Sequence, residues 1–343
     1  SGCSDEVMYV YNESCLYYPP TTTTTLPPTT TTTTPPPTQI TTCTEITQPG
    51  EYVLTNDIIF TPETAPLYCI DIQTNNVTLD CQGHTIDGSG GGYGINIYGS
   101  HITIKNCVLT RWSYGIYLSN SNYNTLSNIR AILNENGVVL YSSDYNTLTN
   151  IIVGPGSYGV YGSNGLVLWF SNNNILSNIT ANGNYGSVEL GTGAGIFIDT
   201  SDYNIIKDSH IQNNSIGIWV FRAKENLIYN NFLSNYENVR FDTIDTNYWN
   251  TTRQSGTRIY GNGNEIGGNY WTNPNGSGYS DTCKDNNRDG FCDDPYVLAT
   301  NNIDYLPLSK YIPPPTIVFP IDLITFFFTP FFFLVVLSLA VAV

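Results

Sequence analysis

The sequence predicts an all-β fold, a parallel β-helix in which coils of about 22 residues stack along one axis. Three observations support this prediction. A pattern of glycine and asparagine repeats in a fixed register, and short apolar runs separate its polar positions. No stretch of ten or more residues shows the 3.6-residue periodicity of an amphipathic helix.

The repeat consists of a glycine, an asparagine nine residues later, and an asparagine or aspartate four residues after that. Successive repeats lie 22, 28, 30 and 22 residues apart, so two insertions lengthen the period without changing the register. Asparagine tolerates left-handed backbone, and stacked amides can bond to one another, which predicts ladders at the coil corners. The five repeats are Gly115/Asn124/Asn128, Gly137/Asn146/Asn150, Gly165/Asn174/Asn178, Gly195/Asn204/Asp208 and Gly217/Asn226/Asn230.

Short apolar runs follow each glycine and surround each asparagine pair, which predicts strands of three to five residues. The fourth repeat has Ser209 where the first three repeats have isoleucine. Residues 77–81 and 102–107 resemble two earlier coils, and residues 238–270 resemble one or two degraded final coils. The β-helix is therefore expected over residues 39–272.

Four further segments flank the β-helix. Residues 1–18 form a strand-like segment, and residues 19–38 form a linker of almost pure threonine and proline that cannot pack a core. Residues 273–312 form a cap rich in Asp, Gly and Asn, and residues 313–343 form a hydrophobic tail that three prolines introduce.

The tail contains 21 residues without a charge, from Leu323 to Val343, which is long enough to span a bilayer. It lacks a basic flank and contains Pro330, which would kink a helix. Two interpretations stay open: a membrane anchor, or a segment buried by neighbouring copies in an assembly. The strand-like N-terminal segment on its linker likewise suits strand exchange between copies.

Composition predicts an exported protein. The chain carries a net charge of −16 with only 12 basic residues, which makes nucleic acid an improbable partner. It begins with serine, so we expect a signal peptide to have been removed. Six N-x-S/T sequons are candidate glycosylation sites in an exported chain. They lie at Asn12, Asn76, Asn178, Asn213, Asn250 and Asn275.

The eight cysteines indicate disulfides in an oxidising compartment, with free buried thiols as the alternative. Two pairs are separated by 26 residues, about one coil, and would join adjacent coils. Two other pairs would close short local loops. The expected pairs are Cys43–Cys69, Cys81–Cys107, Cys3–Cys15 and Cys283–Cys292.

The cap contains the best candidate metal site. Asp285, Asn287 and Asp289 alternate before Gly290, as in the first half of a calcium-binding loop, and Asp293 and Asp294 follow. Hard oxygen ligands at this spacing predict Ca²⁺, although Tyr296 occupies the position at which an EF-hand has glutamate. A solvated acidic cap is the alternative.

Catalytic candidates are weaker. Asp80 and Asp87 flank His84, and Asp71 lies upstream, so a carboxylate pair for glycoside hydrolysis is conceivable. A structural role at a coil edge is the simpler interpretation, and we therefore predict a protein without enzymatic activity.

Tyrosines recur near the ladder: Tyr123, Tyr145 and Tyr203 precede ladder asparagines, and Tyr117 and Tyr141 flank strands. Such side chains either stack on sugar rings or stabilise the coil surface.

Several motifs resemble one known family. They are residues 50–57, 69–72, 77–88 (Val-Thr-Leu-Asp-Cys-Gln-Gly-His-Thr-Ile-Asp-Gly), the repeated Gly-Ile-Tyr-Leu, residues 267–271 and the Asp-Gly-Phe-Cys-Asp-Asp-Pro run of 289–295. Together they resemble right-handed parallel β-helix proteins of the periplasmic copper-binding, nitrous-oxide-reductase-maturation type. The resemblance covers about residues 43–310 and implies the fold. The family includes archaeal surface proteins and carbohydrate-associated modules. Its copper-binding role is not expected here, because this chain has only three histidines and one methionine and so lacks a Met/His-rich site.

We therefore expect an extracellular structural protein, a subunit of a cell-surface filament or layer that is linked to copies of itself through its termini. The alternative is a membrane-anchored β-helix that binds or modifies carbohydrate.

Overall fold

The computed structural model describes residues 36–60, 67–156, 163–187 and 191–310, and the backbone of two short strands near the N-terminus. Those two strands, β1 (Tyr9–Tyr11) and β2 (Ser14–Leu16), pair antiparallel and belong to a separate unit that ends at Pro36. The Cys3–Cys15 pair, the Asn12 sequon, most of the 19–38 linker and the 313–343 tail lie outside the described side chains.

The remaining elements belong to the second unit. Its N-terminal strands are β3 (Thr38–Ile40), β4 (Thr44–Ile46), β5 (Gly50–Leu54), β6 (Ile58–Ile59), β7 (Tyr68–Ile72), β8 (Val77–Asp80), β9 (Thr85–Asp87), β10 (Tyr93–Ile97), β11 (Thr103–Thr110), β12 (Tyr114–Ser119) and β13 (Thr125–Ile132). The central strands are β14 (Asn136–Tyr141), β15 (Thr147–Val153), β16 (Asn164–Trp169), β17 (Ile175–Asn182), β18 (Ala194–Asp199), β19 (Ile205–Lys207), β20 (His210–Gln212), β21 (Ile216–Phe221), β22 (Leu227–Tyr229) and β23 (Phe232–Ser234). The C-terminal elements are β24 (Glu237–Phe241), β25 (Gln254–Ser255), β26 (Glu265–Ile266), β27 (Tyr270–Thr272), α1 (Tyr279–Thr282), β28 (Tyr296–Ala299) and β29 (Asn302–Asp304).

Two long parallel sheets run along the solenoid. Sheet 1 has nine strands in the order β4-β7-β10-β12-β14-β16-β18-β21-β24, and sheet 2 follows the order β3-β5-β8-β11-β13-β15-β17-β20-β23-β27, with four short strands beside it. Each coil contributes a strand to each sheet, and neighbouring strands pair in the repeat register, such as Ile116 with Val138. This arrangement is the predicted parallel β-helix.

The core lies between the two sheets. Columns of Ile, Leu and Val face inward from equivalent positions of successive coils, such as Ile95, Ile116 and Val138, and they are fully buried. The repeat glycine lies next to these columns, where the backbone of the next coil leaves no space for a side chain. A Cβ atom at Gly115 would lie 2.5 Å from the carbonyl oxygen of Gly137.

The predicted asparagine ladders are present, and they differ in burial. The first ladder is buried: the Asn146 amide donates to Asn174 Oδ1 over 3.1 Å, and the Asn174 amide donates to Asn204 Oδ1 over 3.0 Å. The second ladder is exposed: the Asn150 amide donates to Asn128 Oδ1 over 3.0 Å. The buried ladder continues through Asn226 to Asn247.

One detail of the sequence-based prediction was wrong. Strands in sheet 2 reach eight residues, as in β13, because pairing continues through Asn128, whose left-handed backbone (φ 54°) bends the strand without ending it. Residues 238–270, where degraded final coils were expected, are irregular. After β24 the chain makes an antiparallel pair, β25 with β26, before it rejoins sheet 2 at β27.

The C-terminal cap packs around Phe291. The guanidinium groups of Arg253 and Arg258 lie 4.7 and 4.5 Å from its ring centre. Gly290 leaves the space that the Arg258 side chain fills, since a Cβ atom there would lie 1.8 Å from Arg258 Nη1. Within the described residues, no helix is both long and apolar enough to cross a membrane.

Candidate functional site

The outer surface of sheet 1 carries a cluster of five tyrosines over three coils, here called the tyrosine face: Tyr68, Tyr93, Tyr98, Tyr114 and Tyr117. The first, second and fourth are register partners in β7, β10 and β12. Ring centres of Tyr68 and Tyr93 lie 5.2 Å apart, and those of Tyr93 and Tyr114 lie 4.9 Å apart with an angle of 13° between the planes. Tyr117 packs edge-on against both Tyr93 and Tyr114.

Tyr98 is the most accessible member of the tyrosine face, with 49% of its surface exposed. Tyr68, Tyr93, Tyr114 and Tyr117 are half-buried and stack mainly on each other. The face therefore offers one open ring beside a row of ring edges and hydroxyl groups. Such a mixture of apolar rings and neutral hydrogen-bonding groups suits a polyhydroxylated ligand.

The half-buried phenols of this face have raised pKa values and stay protonated at neutral pH. Burial raises the pKa of Tyr117 to about 12, and the neighbouring tyrosines add to the effect. Burial also raises the pKa of Tyr93 and of Tyr114. The hydroxyl groups can thus both donate and accept hydrogen bonds.

A polar column runs beside the rings on the outward-facing side of sheet 1, and its middle members, Asp71 and Asn96, are buried. Glu45, Asp71, Asn96 and Tyr117 are register partners in β4, β7, β10 and β12. Asp71 accepts hydrogen bonds from the Asn96 amide and the Gln73 amide, both over 2.7 Å. Register partners in neighbouring strands lie about 4.8 Å apart, so the carboxylates of Glu45 and Asp71 extend from adjacent backbone positions.

Four of the five tyrosines escaped the sequence analysis, which named only Tyr117. The signal was a Tyr-Gly-Ile triplet at residues 93–95 and 114–116. It places a tyrosine directly before the buried glycine of the repeat, where the side chain points outward.

Two of the other predicted tyrosines form a second row at a coil corner. Tyr123 and Tyr145 stack with ring centres 5.1 Å apart, and His101 stacks on Tyr123. Because these stacked rings cover each other's faces, this row presents mainly ring edges to solvent. Tyr203 is exposed farther along the solenoid, and Tyr141 contacts Phe170.

The predicted calcium ligands are already engaged in a hydrogen-bonded loop. Asp285 accepts hydrogen bonds from Gly290 N (2.9 Å) and Ser309 Oγ (2.7 Å), and Asp289 lies 2.6 Å from Arg253 Nη1. Asn287 donates to Asp289.

Asp293 accepts from Asn286, and both Asp293 and Asp294 are exposed. In the described part of the chain, no three His, Cys, Asp or Glu side chains converge as metal ligands. Calcium binding by this loop stays a prediction, which a Ca²⁺ titration monitored by thermal unfolding tests.

The candidates around His84 do not come together as one catalytic group. His84 Nδ1 lies 3.1 Å from Asp57, whereas Asp80 pairs with Lys105 and Asp87 pairs with Arg111. Each carboxylate thus has a partner in the adjacent coil, as the structural interpretation of these residues requires.

Three predicted disulfides are present: Cys43–Cys69, Cys81–Cys107 and Cys283–Cys292. The first two join adjacent coils. Among the described sequons, four have an exposed asparagine: Asn76, Asn178, Asn213 and Asn275. Asn250 is half-buried, and its Oδ1 accepts a hydrogen bond from Tyr305 N. Glycan attachment at these positions stays a prediction.

These features define a right-handed parallel β-helix with disulfides between its coils. The family described as periplasmic copper-binding protein (NosD) matches residues 38–276, and the chain belongs to this family. A comparison with curated protein sequences found no match. The family and the disulfides place the protein in an extracellular or periplasmic compartment.

Solved structures share the fold at low identity. The Dettilon tailspike protein is 14% identical, with a TM-score of 0.45 over 70% of this chain and 55% of the tailspike chain, so the match spans about half of that protein. Pectate lyase Pel9A is 16% identical, with a TM-score of 0.40 over 62% of this chain and 68% of that chain. The mannuronan C-5 epimerase AlgE4 A-module of Azotobacter vinelandii is 15% identical, with a TM-score of 0.36 over 59% and 71%.

These comparisons correct the prediction that the protein is not an enzyme. Structures with this fold include a lyase and an epimerase, so the β-helix gives no reason to exclude catalysis. The likeness concerns the fold alone and transfers none of their substrates.

The copper function in the family description does not fit this chain. Its three histidines lie on different coils: His84 bonds Asp57, His101 stacks on Tyr123, and His210 packs against Phe232. The single methionine, Met8, lies outside the described residues. We therefore assign no role in copper binding.

Proposed function

We propose that this protein is a cell-surface β-helix that binds an uncharged polysaccharide along the tyrosine face. The observation that carries the proposal is the cluster of five tyrosines on adjacent coils, one ring of which is half-exposed. Tyrosine rings stack against the apolar faces of sugars, and neutral phenols exchange hydrogen bonds with sugar hydroxyl groups.

Electrostatics select the class of ligand. The chain carries a net charge of −16, and Glu45 and Asp71 lie in the column beside the rings. A polyuronate or sulfated glycan would be repelled, whereas an uncharged glycan would not. We therefore expect binding to neutral polysaccharides that is nearly independent of salt.

The experiment measures retention of the purified chain in affinity gels that contain neutral or acidic polysaccharides. Tyr98→Ala should weaken binding to a neutral polysaccharide about tenfold, because an aromatic contact contributes about 1.4 kcal/mol. Tyr305→Ala is the matched control, since Tyr305 is an exposed cap tyrosine outside the face. Equal retention of the wild type and Tyr98→Ala, or preference for acidic glycans, would refute the proposal.

Glu45 and Asp71 favour a second candidate function, hydrolysis of the bound glycan. Retaining glycosidases use two carboxylates about 5 Å apart. The backbones of Glu45 and Asp71 are register partners in adjacent strands, with Glu45 exposed and Asp71 buried. Under this proposal Glu45→Gln and Asp71→Asn would each abolish release of reducing ends while the gel retention persists. Unchanged release in both variants would reject hydrolysis at this pair.

Assembly into a surface filament also stays a proposal. It rests on the linker and tail in the sequence, which the described residues do not include. Electron microscopy of material sheared from cells, with mass spectrometry to identify the chain, tests it: regular fibres support it, and solitary particles reject it.

A further inference from the structure

The two sheets end differently at the C-terminal end of the solenoid. The last strand of sheet 2, β27, is covered by the segment around α1, where Ser280 Oγ accepts a hydrogen bond from Trp271 N over 2.8 Å. The last strand of sheet 1, β24, pairs with β21 on one side, and no other described strand pairs with its second edge. An open edge offers its backbone N–H and C=O groups to an added strand.

A groove of about 300 Å³ runs beside this open edge, between β24 and the cap. Its walls are mixed: polar residues such as Asn238 and Thr272 line it together with five apolar or aromatic side chains, Val239, Phe241, Trp271, Tyr296 and Leu298. Val239 and Phe241 continue two inward-facing columns of sheet 1, since they follow the coil of Ile218 and Val220. The groove is thus the place at which the next coil of sheet 1 would begin.

We propose that residues 316–319 of the same chain occupy this groove and add a tenth strand to sheet 1. The described chain ends beside it: Lys310 N donates to Ser280 O over 2.8 Å, and the adjacent Gly278 and Tyr279 line the groove. Five residues separate Lys310 from Thr316, and the six extended steps between these two Cα atoms span about 20 Å. That span is enough to cross a groove of this size.

The sequence of the segment fits the site. Thr316, Ile317, Val318 and Phe319 are β-branched or aromatic, as strands favour. In a parallel register, Ile317 follows Val239 and Phe319 follows Phe241 on the inward side, which continues both apolar columns.

Prolines set the length of the added strand. Pro315 precedes the segment and Pro320 follows it, and proline cannot donate a ladder hydrogen bond. Only four residues can therefore pair, which nearly matches the five residues of β24.

A designed disulfide in the full-length chain tests the register. Cys43 and Cys69 already show that cysteines at equivalent positions of neighbouring coils form a disulfide, with Cα atoms 4.4 Å apart. The pair Arg240→Cys with Val318→Cys reproduces this relation in the proposed register. The control pair, Arg240→Cys with Thr316→Cys, is shifted by two residues and exceeds the reach of a disulfide, about 7 Å between Cα atoms.

We expect the first pair to form an intrachain disulfide under mild oxidation and the control pair to remain reduced, as read from non-reducing gels and peptide mass spectrometry. Free thiols in both pairs, equal crosslinking in both, or crosslinks between two chains would overturn the proposal; the last outcome would assign the groove to a second copy.

Hydrogen exchange provides a second measurement that needs no crosslink. Phe319→Asp should increase exchange of the β24 amides at least tenfold and leave β16 unchanged. Equal protection of β24 in wild type and variant would also overturn the proposal.

Discussion

At the scale of single residues, Asp304 is the most unusual side chain of the cap. It is fully buried, and its carboxylate accepts hydrogen bonds from Asn269 N, Trp271 Nε1 and Leu306 N over 2.8, 2.8 and 3.0 Å. Burial raises the pKa of Asp304 to about 7, although the three donors oppose this shift. A single carboxyl group thus couples cap stability to pH.

We predict that this coupling lowers stability as pH rises. Between about pH 4 and pH 7 the folded chain keeps a proton that the unfolded chain has lost, so the free energy of unfolding falls by up to about 1.4 kcal/mol per pH unit from this group. Asp304→Asn removes the titration. The variant should be less stable at pH 5, because its amide group faces N–H donors, and the difference should narrow towards pH 8.

Denaturant unfolding from pH 4.5 to pH 8 measures this effect. Asp294→Asn, which changes an exposed carboxylate of the same cap, serves as the control. A difference between wild type and Asp304→Asn that stays constant over this range would contradict the prediction.

Some single-residue roles could be predicted from the sequence and others could not. The ladder asparagines and the repeat glycines were predictable, because their spacing alone reveals that they stack. The role of Ser209 at an apolar position of the repeat was not predictable from the sequence. It is fully buried, where its hydroxyl accepts a hydrogen bond from Ile179 N (3.0 Å) and donates to Lys207 O (2.6 Å). These two hydrogen bonds replace the apolar packing contact that isoleucine makes at this position in the first three repeats.

At the scale of elements, the ladders and the sheets have different sequence signals. A ladder needs one residue type at one spacing, so the sequence reveals it directly. The tyrosine face depends on the alternation of inward and outward positions in three strands. Tyr93 and Tyr114 are each followed by a buried glycine, which has no apolar side chain to mark the inward position. The cap depends on Arg258, which reaches Phe291 across 33 residues, and no periodic pattern records such a contact.

We predict that the buried ladder stabilises the solenoid far more than the exposed one. Asn174→Ala leaves the buried Asn146 N without its acceptor and removes one of the two acceptors of Asn146 Nδ2, which should cost about 3 kcal/mol. Asn150→Gly should cost about 1 kcal/mol, since it removes exposed amide bonds and glycine tolerates the left-handed backbone at this position (φ 58°). Equal losses in chemical unfolding would show that burial does not set the contribution of a rung.

At the scale of the whole molecule, the solenoid is nearly one-dimensional. Each coil contacts mainly its two neighbours, so local stability depends on local links rather than on one central core. The disulfides stand near both ends, Cys43–Cys69 among the first coils and Cys283–Cys292 in the cap. The ends are where a stacked structure frays.

We predict that loss of one end link loosens only that end. Cys43→Ala with Cys69→Ala should accelerate hydrogen exchange in β4, β5 and β7 and leave β16 and β18 protected. Cys283→Ala with Cys292→Ala is the matched variant and should loosen the cap instead. Uniform acceleration along the chain in either variant would mean that the solenoid opens as a single cooperative unit.

Each asparagine ladder aligns its side-chain amide dipoles along the axis of the solenoid. In the buried ladder every side-chain oxygen accepts from the preceding coil, as Asn174 does from Asn146, so the amide dipoles align with their positive ends towards the C-terminus. In the exposed ladder the order is reversed, because Asn150 donates back to Asn128. A second buried series runs in the same direction from Asn231 to Asn269, and the backbone N–H of Asn269 donates to the Asp304 carboxylate. Proton uptake by Asp304 would therefore remove a negative charge at the positive end of this short series of dipoles.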